Sequence, residues 1–156
     1  MVNLKIGSHN IQGGASTKLK DEDIVVEVSK YDIYCIQESW LDQDAQDIHI
    51  PGYSLMRSSR KKGNKRHVFG GSMIYFRSTF EGHIRKMPSA YEDYLWVSLD
   101  EQFFDLPTKV YLGCVYIPPE GSTVHEERGI DPFKQLAEET ATLQETGMVL
   151  FMGDFN

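Results

Sequence analysis

Five residues of this chain have side chains suited to hard oxygen chemistry, and each stands where an apolar run gives way to polar residues: Asn10, Glu38, Tyr116, Asp154 and Asn156. The last two are one residue apart, so an extended backbone would point both the same way, with Phe155 turned back toward a core. If these ends converge, they bring together two carboxylates, two amides and a phenol. Such a set suits Mg²⁺, with Mn²⁺ as the alternative, because magnesium keeps several waters and takes only one or two protein carboxylates. Glu38 is the metal-ligand candidate, since it ends a buried run with no cationic neighbour in sequence. Asp154 could orient or deprotonate an attacking water. Asn10 and Asn156 could hold phosphate oxygens, and Tyr116 could stabilise charge developing in a transition state. Taken singly, each is also an ordinary strand-end polar residue, and Gly153-Asp154-Phe155-Asn156 also reads as a turn.

The elements that must position these residues follow from periodicity. Val2, Leu4 and Ile6 alternate with polar residues and close at Ser8-His9-Asn10, a half-buried strand. Asp21 to Lys30 carries Ile24, Val28 and Tyr31 at helical spacing. Asp32 to Glu38 contains the unbroken apolar run Ile33 to Ile36, as in a strand covered on both faces. Ser39 to His49, anchored by Trp40-Leu41, reads as a short helix. Further strands are expected over 53–57, 72–77, 82–87, 94–99 and 109–116. The last of these is nearly all apolar, hence central, and is stopped by Pro118-Pro119. Asp131-Pro132 announces a helix with an N-cap and a proline at its first position, and Phe133, Leu136, Ala137, Thr140 and Leu143 form its apolar stripe. Gly147 ends it, and Met148 to Met152 reads as a strand buried on both faces.

The 156 residues suffice for one domain with a real core, at 40% hydrophobic and 25% charged. No apolar run is long enough to span a membrane, and no secretory pattern opens the chain. Cys35 and Cys114 sit in apolar runs without metal-ligand spacing, which suggests free core thiols in a reducing, intracellular compartment. The formal net charge of -7 argues against coating nucleic acid by bulk charge. Yet residues 57–67 read RSSRKKGNKRH, with Arg57, Arg60, Lys61, Lys62, Lys65 and Arg66 and no acid. This stretch is either a solvated loop or a phosphate-backbone contact, and the two are compatible.

Five motifs then occur in order: Ser8-His9-Asn10-Ile11-Gln12-Gly13, Ile36-Gln37-Glu38-Ser39-Trp40-Leu41, Gly70-Gly71-Ser72-Met73-Ile74-Tyr75, Val115-Tyr116-Ile117-Pro118-Pro119 and Gly153-Asp154-Phe155-Asn156. Together they resemble the endonuclease/exonuclease/phosphatase superfamily, and within it the endonuclease domain of LINE-type (non-LTR) retrotransposons. The resemblance runs from Leu4 to Asn156. It implies a four-layer α/β sandwich of the deoxyribonuclease-like type and Mg²⁺-dependent phosphodiester hydrolysis, with DNA as the partner and a nuclear location for a DNA-acting product. Residue by residue it makes Asn10 the first asparagine of the site, Glu38 the metal-binding glutamate and Tyr116 the active-site tyrosine. Asp154 matches the water-positioning aspartate and Asn156 the phosphate-contacting asparagine. The family pattern continues to a Ser-Asp-His motif that this sequence lacks, and none of the five histidines (His9, His49, His67, His83, His125) fits it. The expectation is therefore a single domain over 1–156, an incomplete sandwich lacking its C-terminal half. Weak or absent activity and an uncovered terminal strand open to association go with it. A non-catalytic relic, or a phosphatase or lipid phosphodiesterase of the same superfamily, stand as alternatives.

Overall fold

A computed structural model describes residues 3–61, 68–122 and 129–156. The chain builds two four-stranded sheets packed face to face, with helices on both outer faces. The first sheet holds β1 (Ile6–Asn10), β2 (Ile33–Gln37), β3 (Tyr53–Ser58) and β4 (Ser72–Arg77) in the order β1-β2-β4-β3. The second holds β5 (Ile84–Met87), β6 (Tyr94–Leu99), β7 (Val110–Tyr116) and β8 (Met148–Asp154) in sequence order. The helices are α1 (Ala15–Lys18), α2 (Glu22–Ser29) and α3 (Pro132–Gln144). A 3-10 turn at Ser78–Phe80 follows β4.

Each sheet contains one parallel pair joined through helices: β1 with β2 through α1 and α2, and β7 with β8 through α3. A parallel pair needs such a crossover, and it places both carboxyl ends at the same edge of the sheet. Asn10 is thereby level with Gln37, and Tyr116 with Asp154. The starts of α2 and α3 are capped by aspartates. Asp21 accepts the amide of Asp23 at 2.9 Å, and Asp131 accepts those of Phe133 and Lys134 at 2.9 and 3.2 Å.

Strand alternation sorts side chains into three apolar layers. Ile33 and Cys35 face Leu95, Val97, Leu112 and Cys114 between the sheets, whereas Tyr34 and Ile36 meet α1 and α2 through Ala15, Leu19 and Val28. Trp96, Val115 and Leu136 form the third layer beneath α3. There Glu139 accepts the indole N–H of Trp96 at 2.6 Å and the Ser89 hydroxyl at 2.9 Å, tying helix to sheet. Both cysteines are free and buried, and the hydrogen bond to Cys114 together with burial pushes the Cys35 thiol up, keeping it protonated.

Three expectations need correction. Residues 39–49 form no helix; after Glu38 the backbone turns through left-handed φ values of 54° at both Glu38 and Trp40. Phe133 lies exposed outside the α3 stripe, which Leu136 and Leu143 define. Strand β8 is not central but the edge strand beside β7, with Met148, Leu150 and Phe151 exposed. Its apolar run reads as doubly buried because composition reports no neighbours.

Behind the carboxyl ends of β2 and β7 lies a buried ion pair. Arg60 Nε donates to Asp93 Oδ1 and Oδ2 at 2.9 and 3.1 Å, and its Nη2 also reaches Oδ2. Both residues are buried. Burial pulls the guanidinium pKa down, but Asp93 more than offsets this and raises it. Asp93 Oδ1 also accepts the Gly71 amide at 3.1 Å, and its backbone carbonyl accepts the Ser72 hydroxyl at 2.8 Å and the Tyr116 amide at 3.1 Å. The Gly70-Gly71 turn so fixed accepts Trp40 N–H at 2.9 Å and Ser39 N–H at 3.2 Å, which sets the loop after Glu38. Gly70, at φ 78°, admits no side chain, since a Cβ would lie 2.5 Å from Asp93 Oδ1.

Removing one partner of a buried pair strands the other charge, so Arg60→Met should destabilise the chain by about 3–5 kcal/mol. Arg60→Lys should recover only part, because an ammonium cannot reproduce the fork. Urea denaturation checks this, and a loss below about 1 kcal/mol would show the pair to be solvent-screened. A pH effect follows as well. Burial raises the phenols of Tyr75 and Tyr94 well above the usual tyrosine range, while their hydroxyls donate to the carbonyls of Ile48 and Pro132 at 2.7 and 2.6 Å. The folded state then holds these protons more tightly than the unfolded one. That stability is whole below the unfolded pKa of about 10 and is lost as pH rises above it. The urea midpoint should fall above about pH 10, and less steeply for Tyr94→Phe.

Candidate functional site

The carboxyl ends of β1, β2, β7 and β8 meet at one edge of the sandwich, where the two sheets face each other. Asn10 there donates both amide hydrogens to carboxylates, one to Glu38 Oε1 and one to Asp154 Oδ2, each at 2.7 Å. The second bond crosses from one sheet to the other. Asn10 Oδ1 accepts the Gln12 amide at 2.9 Å, which fixes the orientation of the side chain. Glu38 Oε2 accepts the indole N–H of Trp40 at 3.1 Å. The Tyr116 phenol is the fourth member. Burial, then the charge of Glu38 and a hydrogen bond to it, push its pKa well above the usual range, so it stays protonated and able to donate.

Gln37, one residue before Glu38, is buried between the sheets. Its amide donates to Ser8 Oγ at 3.1 Å and to Cys114 Sγ at 3.1 Å. A satisfied polar side chain here keeps β1, β2 and β7 in fixed relation just below the site.

Of the five residues that the sequence singles out, the structure thus joins four. Asn156 departs. The strand ends at Asp154, the backbone turns with φ 28° at Asn156, and the Asn156 amide N–H donates to Asp154 Oδ1 at 3.1 Å. Its side-chain Nδ2 donates to the Ile117 carbonyl at 3.0 Å. The turn chemistry of Gly-Asp-Phe-Asn wins over a continued strand, so Asp154 and Asn156 do not point alike. Phe155 does turn back, against the layer beneath α3.

The basic stretch divides. Arg57 is spent on its own loop: Nε donates to Asp47 Oδ1 at 2.7 Å, Nη1 to the Asp42 carbonyl at 2.8 Å, and Nη2 to that of Ala45. Arg60 is buried on Asp93. Neither presents a free guanidinium, which corrects their expected place among the nucleic-acid contacts. Lys61 is exposed, and Lys62, Lys65 and Arg66 lie outside the described residues. Asp93 was not legible in the sequence, where its only signal is the acidic pair Glu92-Asp93 before a strand. Of the expected Trp40-Leu41 anchor, Leu41 is buried and Trp40 is 38% exposed.

The donor set suits a hard divalent cation. Two carboxylates with amide and phenol neighbours offer oxygen, not thiolate or imidazole. Among the described residues no three or more His, Cys, Asp or Glu side chains gather into a metal cage.

The family model of the endonuclease/exonuclease/phosphatase family matches residues 7–156. No curated protein matches in sequence. Among solved structures, the catalytic domain of Xenopus laevis APE2 is similar with a TM-score of 0.67 at 20% identity, over 98% of this chain and 58% of that one. A 3' phosphatase from Neisseria, solved with a product DNA hairpin, gives 0.63 at 18% identity, over 99% and 58%. An AP endonuclease from Archaeoglobus fulgidus gives 0.58 at 18%, over 97% and 57%. The chain thus spans less than two thirds of each matched structure. At these identities the likeness establishes a shared fold, and the two-sheet sandwich described above is that fold. With the family model matched over nearly its whole length, the chain belongs to the endonuclease/exonuclease/phosphatase family.

Proposed function

We propose that this chain carries the metal-binding part of a Mg²⁺-dependent phosphodiesterase that nicks DNA and is of retroelement origin. The observation that supports the reading most directly is the Asn10 amide holding Glu38 and Asp154 side by side across the two sheets. A neutral donor can keep two carboxylates adjacent without cancelling their charge, which leaves a site that attracts a cation. In this reading Glu38 holds the ion, which when bound neutralises charge on a phosphoryl oxygen. Asp154 accepts a proton from the attacking water or orients it. Tyr116, kept protonated, donates to the oxygen on which charge develops. Asn156 gives one Nδ2 hydrogen to the Ile117 carbonyl and has the second to offer a phosphate oxygen. DNA is favoured over a small phosphomonoester or a lipid headgroup because the exposed Lys61 begins the remaining basic run of Lys62, Lys65 and Arg66. Arg57 and Arg60 have no part in that contact. The retroelement assignment rests on the Glu-Ser-Trp-Leu and Tyr-Ile-Pro-Pro pieces. The exposed apolar side chains and open edge of β8 are the proposed place of association with further protein.

Mg²⁺ should raise the melting temperature by several degrees at saturating concentration, since a ligand at about 100 Kd adds ~2.7 kcal/mol. Glu38→Gln should abolish that rise, and an unchanged rise would reject Glu38 as the ligand. Wherever nicking of supercoiled DNA is detectable, Asp154→Asn should slow it by about 10²–10⁴-fold. Neutralising Lys61, Lys62, Lys65 and Arg66 should flatten the dependence of DNA affinity on salt by about 0.9 in log-log slope per lost phosphate contact. An unaltered slope would leave the stretch a solvated loop.

A further inference from the structure

Next to Glu38 the surface carries aromatic area that the proposed chemistry does not use. Trp40 is 38% exposed and Phe69 51%, with ring centroids 4.9 Å apart and planes at 76°. The Trp40 indole N–H donates to Glu38, so the rim of the ring lies one hydrogen bond from the carboxylate. The ring is held against backbone preference. Trp40 has φ 54°, a region a bulky residue rarely adopts, and the two amides bonded to Gly70 and Gly71 keep it there. On the other side Gly13 passes so close that a Cβ would lie 2.1 Å from the indole. A tryptophan held in a strained conformation and left 38% exposed is an outlier, and such outliers point to function when they adjoin a site.

We propose that Trp40 and Phe69 form a stacking platform for an unpaired nucleobase of the strand whose phosphate is handled at Glu38. The inference rests on the phosphodiesterase reading and adds to it a preference for frayed, single-stranded or distorted DNA over regular duplex. Every base offers a π-face, but in a regular duplex both faces are already stacked. Of the described cations in the 57–66 stretch only Lys61 is exposed, and the chain carries a net charge of -7. An aromatic corner beside the candidate metal ligand adds to any such charge a contact that does not depend on it.

The test is a titration of the full chain with a short single-stranded oligodeoxynucleotide in EDTA, so that binding is read apart from the metal. Tryptophan fluorescence and the anisotropy of a labelled oligonucleotide are recorded together. Of the two tryptophans Trp96 is fully buried, so quenching reports on Trp40. The expected result is quenching by the base-bearing oligonucleotide and none by an abasic one. Trp40→Gly and Phe69→Ala should each weaken binding on the order of ten-fold with no change in salt dependence, and Trp40→Phe should keep most of the affinity. Glycine is chosen because it accepts the φ of Trp40 without strain, and Phe69→Ala tests the same platform from a residue on another loop. No binding, binding without quenching, or equal affinity of the ring-less variants would overturn the proposal. The Mg²⁺ thermal shift of the same preparation separates the two readings. A shift lost in Glu38→Gln without base-dependent quenching rejects the platform alone. Quenching without a Mg²⁺ shift rejects the metal assignment alone.

Discussion

One side-chain amide decides whether this edge of the sandwich is a site or a pair of repelling acids. Glu38 and Asp154 come from different sheets, and two carboxylates brought together in a half-buried place repel each other. Asn10 meets one oxygen of each, and its own oxygen is tied to the Gln12 amide. A lysine at this position would also bind both, but its charge would cancel theirs. A leucine would remove the one donor that the two acids share. An asparagine satisfies both while keeping their charge available. The rest of the architecture is what that geometry requires: two parallel strand pairs, one per sheet, with all four carboxyl ends at the same edge.

Glu38 does not reach this position on strand geometry alone. The strand ends at Gln37, and the next residue takes a left-handed φ that its side chain does not favour. The backbone is held by the Gly70-Gly71 turn, the turn by Asp93, and Asp93 by Arg60. A buried ion pair is a poor source of net stability, because desolvation of both charges offsets their attraction. Its use here is directional. The guanidinium fork fixes the carboxylate, which still has a lone pair to aim at Gly71, while the same residue's carbonyl holds Tyr116. One acid thereby registers the Glu38 loop against the end of β7.

The frame was legible in the sequence because it rests on short-range chemistry. Asp21 and Asp131-Pro132 mark helix starts, and runs such as Val110 to Ile117 mark buried strands, through interactions within a few residues. Four of the five chemical residues were legible as polar strand ends for the same reason. What was not legible depends on partners far along the chain. Arg57 and Arg60 look like free cations beside Lys61 until Asp47 and Asp93 are seen to hold them. Met148 to Met152 looks doubly covered, since an apolar run does not say how many strands flank it. Asn156 sits where two local rules compete, strand alternation and Asx-type turn formation, and the turn prevails as pairing with β7 ends at Asp154.

The inward use of Arg57 and Arg60 also bears on how such a site would select its substrate. With two guanidiniums committed to folding, Lys61 is the exposed cation among the described residues of this stretch, and the protein as a whole is acidic. Long-range attraction of this kind is weak and fades with salt. The edge also offers two short-range features that do not fade with salt: a pair of carboxylates held by one amide, and a strained aromatic corner one hydrogen bond away. Because Trp40 bonds to Glu38, the two features are not independent. A shift of the indole removes a donor from the carboxylate, so the position of the ring and the geometry of Glu38 are coupled through a single N–H group.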